Sequence, residues 1–284
     1  MSLTTTEGML RSARKGCYAV GAFNAENMEM VQAIVSAAEE MNAPVIIQTT
    51  PGTVQYANLD TYYATVAAIA KDSKVPVAIH LDHGSSFALS VQALRAGYTS
   101  IMIDGSKYPL EENIALTKHV VDACKPNGIP VEGELGRVGG KEDSLESSAT
   151  GYTDPAEAVE FVGRTGVSSL AIGVGTAHGV YKTKPVLKTE LIRIIRDQVS
   201  IPLVLHGASG LSDEVVRQCV QCGISKVNFA TELRIAYTDA IRAFLGNHLE
   251  TIDPKKFGVT AKDAVKQQVI NRILILGSDG KAGT

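Results

Sequence analysis

The sequence predicts an α/β protein: a closed (β/α)8 barrel with extra N-terminal and C-terminal helices. Three observations carry this. Short β-branched runs recur eight times along the chain. Sequence of helical periodicity lies between them, as the right-handed crossovers of a parallel sheet require. The 284 residues are close to the ~250 typical of one such barrel. An open, doubly wound sheet is the runner-up architecture.

The runs come in order as YAVGAFN (18–24), PVIIQTT (44–50), VPVAIHL (75–81), TSIMIDG (99–105), IPVEGEL (129–135), SSLAIGV (168–174), IPLVLHG (201–207) and SKVNFAT (225–231). NMEMVQAIVSAAEEMN spaces its apolar residues by three and four, the mark of an amphipathic helix. LEENIALTKHVVDACKPNG closes on Gly128, a helix-ending residue. DPAEAVEFVGRTG opens with an Asp cap and Pro at the first helical position, and LSDEVVRQCVQCG with a Ser cap. Further helical sequence precedes the first run (Thr4–Lys15) and follows the last (Val259–Leu276). No linker interrupts the pattern, so residues 1–284 are expected to form one domain. GRVGGKEDSLESSATGYTDP, after the fifth run, has neither helical nor strand periodicity and is expected to be a functional loop.

A net charge of −3 and the absence of Trp argue against nucleic-acid and anionic-membrane partners. No apolar segment has the length of a membrane span, and the N-terminus lacks a signal-peptide core. With four scattered cysteines, the expected compartment is the cytoplasm. Cys219 and Cys222 lie at a helix end rather than its N-terminus, so they read as small apolar residues on one face, not a redox pair.

Barrel strands converge at their C-terminal ends, where active sites lie. Those positions hold Asp82 and His83, Asp104, Glu132 and Glu134, His178, His206, Asn228 and Thr231. Three of the six histidines, His83, His178 and His206, each precede a glycine there. Three histidines with an open fourth position form a catalytic zinc arrangement. His80, two residues before Asp82, is expected to point into the barrel interior; His119 and His248 are expected at the surface. HGASG (206–210) and NFATE (228–232) lead into helices, and backbone N–H groups at such starts bind phosphate. The G-x-G-x-x-G spacing is missing, which excludes a dinucleotide site. A Schiff-base lysine is not expected: Lys226 is at the wrong end of its strand and Lys107 lies in a connection.

HLDHG, GTAHG, LVLHGASG, NFATE and EGELGRVGGKED together resemble the class II, metal-dependent ketose-bisphosphate aldolases over essentially the whole chain. The nearest branches are those acting on tagatose and fructose bisphosphates. The resemblance implies zinc held by His83, His178 and His206, with Asp104 and Glu134 in an alternative or second metal site. It implies Asp82 as catalytic acid/base and Glu142, on the long loop, as the group moving the proton next to the carbonyl. Asn24, Gly179, Gly207, Ala208, Ser209, Asn228, Phe229, Ala230 and Thr231 would bind substrate, mostly the dihydroxyacetone phosphate end. A monovalent cation (Na+ or K+) near that phosphate, a homodimer or homotetramer, and an accessory subunit in the tagatose branch are further implications. Sugar-phosphate metabolism of the glycolytic kind is the expected setting.

Ala230 replaces the Asp or Asn of many fructose enzymes, which favours tagatose 1,6-bisphosphate as substrate. For the distal phosphate, Lys281 in the tail and Arg272 in the last helix are the nearest cations. A lysine lacks the bidentate fork, so a ketose 1-phosphate with another distal group, such as a carboxylate, is an alternative. Outside the aldolases, the same ligands would suit a metal-dependent hydrolase, and a non-catalytic partner subunit is a third class. Imidazole ligands also suit cobalt or iron.

Overall fold

The computed structural model describes residues 3–142, 145–147, 151–179, 181 and 185–283; the side chains of 140–142 and 145–147 lie outside that description. Eight parallel strands close a barrel: β1 (Val20–Asn24), β2 (Val45–Thr49), β3 (Val77–Gly84), β4 (Ser100–Ile103), β5 (Val131–Leu135), β6 (Ser169–Ile172), β7 (Leu203–Leu205) and β8 (Ile224–Phe229). Each pairs with its neighbour in sequence, and β1 pairs with β8, for example Ala22 with Asn228. All eight predicted runs are therefore barrel strands. The predicted terminal helices are Thr6–Gly16 and Pro254–Leu276. Among the described residues no helix is long and apolar enough to cross a membrane.

Strand alternation sorts the side chains. Outward residues such as Phe23, Ile47, Ile79, Leu81, Ile101, Leu170 and Val227 form the main core beneath the helices. Inward residues build layers. Val20, Ala22, Ile46 and Ala78 make an apolar plug with Met9, Leu10 and Ala13 of the N-terminal helix. On β3, β4, β5, β6 and β8 the interior turns polar: His80, Ser100, Glu132, Ser169 and Lys226 are all buried. Nearest the C-terminal mouth come Asn24, Gln48, Asp82, Glu134, His206 and Asn228, also buried.

Two local expectations need correction. The long connection after β5 contains the short strands Gly139–Glu142 and Leu145–Ser147, paired antiparallel. The first also pairs in parallel with Ala177–His178. The pairing is by backbone hydrogen bonds, which leave no apolar periodicity in the sequence. Ser212 stands at its helix N-cap position but makes no side-chain capping bond. The Asp154 cap does form, accepting from the N–H groups of Ala156 and Glu157. Cys219 and Cys222 are free, buried thiols, and His119 and His248 are exposed.

Strand β3 departs from regular pairing between Leu81 and Gly84, where it meets β4. A Cβ on Gly84 would lie 2.3 Å from the Met102 carbonyl oxygen. Gly84→Ala is therefore expected to destabilise the protein by about 1–3 kcal/mol through overpacking. Gly163, in the helix Pro155–Thr165, has nothing within 4 Å of its virtual Cβ, and Gly163→Ala should stabilise by about 0.5 kcal/mol. Denaturant midpoints of the two variants check both signs; a neutral Gly84→Ala would show that the irregularity at the end of β3 is not sterically fixed.

Candidate metal and catalytic site

Alternation alone would send His83 outward, because His80 and Asp82 face inward. His83 instead has φ of 48°, in the left-handed region, at the irregular end of β3. Irregular strand ends of this kind re-aim side chains beside active sites. The imidazole turns into the mouth, 93 % or more of it hidden from solvent. A non-glycine residue there stores about 1–3 kcal/mol of strain, which the surrounding contacts hold in place.

His206 follows β7 and His178 ends the short strand after β6. The ligating atoms of His83, His178 and His206 all lie within 4.8 Å of one another. The outer nitrogens of two rings are engaged. His206 Nε2 is 3.0 Å from Glu132 Oε1, and His83 Nδ1 is 3.1 Å from Asp104 Oδ2. Carboxylates accept, so both outer nitrogens carry the protons. That leaves the lone pairs of His206 Nδ1 and His83 Nε2 facing each other at 2.8 Å. Two lone pairs repel unless a cation sits between them. Glu134 Oε2, fully buried and without a hydrogen-bond partner among the described residues, lies 3.7 Å from His206 Nδ1. The donor set and this orphaned oxygen fit a divalent metal, with the carboxylate–histidine pairs supplying the outer shell.

A second cluster, His83 with Asp104 and Glu134, also has ligand geometry. The two clusters share His83. Donating Nδ1–H to Asp104 commits that nitrogen, so the tautomer that serves the three-histidine cluster withdraws it from the other.

Asp82 sits beside this cluster, 1 % exposed. Three amides hold it: Asn24 Nδ2 (3.2 Å) and Gln48 Nε2 (3.0 Å) donate to Oδ2, and Asn228 Nδ2 (3.0 Å) donates to Oδ1. Gln48 also donates to Asn24 Oδ1 at 2.7 Å. Asn24 and Asn228, read from sequence as substrate contacts, are thus also the cradle of Asp82. Among the described residues the acceptor oxygens Gln48 Oε1 and Asn228 Oδ1 have no partner.

Beneath the mouth, Lys226 Nζ lies 2.9 and 3.2 Å from the two oxygens of Glu132. Both residues are essentially unexposed. Burial alone would raise the Glu132 carboxyl, but Lys226 and His206 hold it well below the usual carboxylate range. Burial, then the charge of Lys226, pushes His80 well below the usual histidine range, so it is neutral. Glu134 moves the other way: burial and the neighbouring Asp104 raise it far above the ordinary value. Asp104 is held low by its bond to His83, against a burial effect of opposite sign.

The glycine-rich loops after β6, β7 and β8 are tied together. Tyr181 accepts from the Ala177 N–H (2.8 Å) and donates to the Gly207 carbonyl (2.7 Å). Ser209 Oγ accepts from the Ala230 N–H at 3.2 Å. Gly207 has φ of 65°, and a Cβ there would be 2.6 Å from the Ala177 carbonyl oxygen. Ser209 is thus tied to Ala230, directly before the helix Thr231–Asn247, Gly207 lies against Ala177, and Gly179 directly follows His178. Phe229 contributes only backbone to this region, since its ring is buried in the outer core against Phe23.

Glu142 ends the strand in which Gly140 is in register with His178; its side chain lies outside the described residues. The two cations expected for a distal phosphate are placed otherwise. Arg272 is 8 % exposed and engaged by both Glu232 (2.5 Å) and Asp213 (3.0 Å). Lys281 lies over the Tyr18 ring, and its neighbours Gly280 and Ala282 bond to Met41 and Asn42. Those residues lead into β1 and β2, so Lys281 is at the N-terminal end of the barrel, opposite the site. Gln48 and the Lys226–Glu132 pair were not singled out by sequence reasoning for these roles. Strand parity was the available signal, since 226 and 228, and 132 and 134, share the inward face.

A barrel carrying a histidine cluster and a caged aspartate at its strand ends is the frame of a metal-dependent barrel enzyme. The family described as class-II fructose-bisphosphate aldolase matches residues 4–281. The chain belongs to this family, whose members are zinc-dependent carbon–carbon lyases, and it is a ketose-bisphosphate aldolase in that general sense. It is similar to the YdjI aldolase of Escherichia coli K12, at 38 % identity over 99 % of both chains and a TM-score of 0.89. It is also similar to a putative fructose-1,6-bisphosphate aldolase of Coccidioides immitis, at 31 % identity over 97 % of this chain and 96 % of that one, with a TM-score of 0.90. The fructose-bisphosphate aldolase of Campylobacter jejuni shares the fold at 22 % identity, covering 99 % and 97 % of the two chains with a TM-score of 0.84.

Proposed function

We propose that the enzyme reversibly cleaves a ketose 1,6-bisphosphate, tagatose 1,6-bisphosphate ahead of fructose 1,6-bisphosphate, to dihydroxyacetone phosphate and glyceraldehyde 3-phosphate. The observation that carries this is the caged Asp82 beside the histidine cluster, with the glycine-rich loops of β6, β7 and β8 on the same mouth. A divalent zinc held by His83, His178 and His206 would polarise the substrate carbonyl and stabilise the negative charge that develops on its oxygen.

The chain's own groups supply the rest. Backbone N–H groups at Gly207–Ser209 and at the helix start near Thr231 suit the C1 phosphate. Asp82 takes the proton of the C4 hydroxyl as the C3–C4 bond breaks, leaving an aldehyde on one fragment and a carbanion at C3 of the other. Three amide donors keep that carboxylate oriented toward the mouth. Glu142, carried on the strand beside His178, returns a proton to C3. Ala230 supports the tagatose preference, because its methyl group offers no polar contact to a sugar hydroxyl.

A second reading, a ketose 1-phosphate whose distal group is not a phosphate, is favoured by the two cations just described. Arg272 is neutralised by two carboxylates and Lys281 is at the other end of the barrel.

Triose-phosphate release from tagatose and fructose 1,6-bisphosphates tests the assignment. Release from both, faster from tagatose, is expected. Release from neither, by zinc-loaded enzyme, would reject the bisphosphate reading in favour of the second. Asp82→Ala should retain zinc yet lose about 10²–10⁴-fold in cleavage rate, whereas Glu142→Ala should slow hydrogen exchange at C3 of dihydroxyacetone phosphate. Normal cleavage in the first variant, or normal exchange in the second, would remove that residue from the mechanism.

A further inference from the structure

The polar layer beneath the mouth is not used by the chemistry above. Its members form one directional chain. Lys226 Nζ has three N–H bonds and three acceptors: Glu132 Oε1 at 3.2 Å, Glu132 Oε2 at 2.9 Å and His80 Nε2 at 3.4 Å. Accepting at Nε2 fixes the proton of His80 on Nδ1, which lies 2.8 Å from Ser100 Oγ. Ser100 Oγ in turn accepts from Thr6 of the N-terminal helix at 3.0 Å. On the other side Glu132 Oε1 takes the Nε2 proton of His206 at 3.0 Å. The ammonium is thus fully committed, and every hydrogen bond assigned in this chain has one donor and one acceptor.

We propose that Lys226 and Glu132 are positioning residues of the metal site: the buried pair fixes the tautomer and aim of His206 so that Nδ1 faces the metal. The inference rests on the assignment of His206 as a ligand. Lys226, held rigidly by Glu132 and His80, keeps Glu132 both charged and oriented. Glu132 then has one arrangement in which an oxygen meets His206 Nε2. Without the ammonium, a buried carboxylate has no compensating charge, and Glu132 loses the two bonds that aim its oxygen at His206. Loss of such an outer partner typically weakens metal binding about 10–100-fold.

Zinc affinity, measured by competition between the metal-stripped protein and a chromogenic chelator, tests this without substrate. Lys226→Met should bind zinc about 10–100-fold more weakly, with an altered visible spectrum of the cobalt-substituted protein. The double variant Lys226→Met/Glu132→Gln removes both buried charges, so its melting temperature should return toward that of the parent. Its zinc affinity should stay at least ~10-fold below the parent, because a neutral amide accepts more weakly and can turn its NH2 toward His206. Parental zinc affinity and cobalt spectrum in the double variant would make the pair purely structural and overturn the proposal. If Lys226→Met alone does not fold, the double variant decides. A parent protein that fails to bind zinc would instead reject the histidine cluster itself.

Discussion

Two imidazole lone pairs, on His83 and His206, meet 2.8 Å apart. The rest of the site depends on this contact. Each ring is locked from behind by a carboxylate, Asp104 for one and Glu132 for the other. Neither ring can turn its proton inward without breaking that bond. The arrangement is frustrated as a set of neutral side chains and relieved by a cation. It is brought about by two local backbone features: the left-handed φ of His83 and the short β7 that ends just before His206.

The barrel interior is built to hold those locks. Its N-terminal end is an apolar plug closed by the first helix. Above it, a charged lysine and glutamate are buried together. Replacing one partner of such a pair costs about 3–5 kcal/mol, whereas replacing both with apolar groups can be neutral. Stability alone therefore does not account for the pair, while the orientation of His206 does. Nearer the mouth the interior changes to amides, which hold Asp82 by donation and leave the acceptor oxygens of Gln48 and Asn228 unpartnered among the described residues.

Much of this was legible in the sequence. The eight β-branched runs are local signals, and so are the three His-Gly pairs at strand ends. The inward aim of Asp82 follows from its parity with His80, although its amide cage does not. Other features were not local. Lys226 and Glu132 are 94 residues apart in sequence, and only barrel closure brings them together. The inward aim of His83 runs against alternation and depends on an irregular turn at the end of β3. The small sheet containing Gly139–Glu142 is held by backbone bonds that no side-chain pattern announces. Arg272 and Lys281 could be picked out as cations, but their partners, Glu232, Asp213 and the ring of Tyr18, are set by how the last helix and the tail pack.

The central claim is that the three rings converge on one cation. Crystals of the protein loaded with zinc, measured on both sides of the zinc absorption edge, test it most directly. The account predicts one strong anomalous peak, bound by His83 Nε2, His206 Nδ1 and His178 at the ~2.0–2.1 Å typical of zinc–imidazole bonds. A peak bound instead through His83 Nδ1 with Asp104 and Glu134, or no peak at the histidines at all, would contradict it.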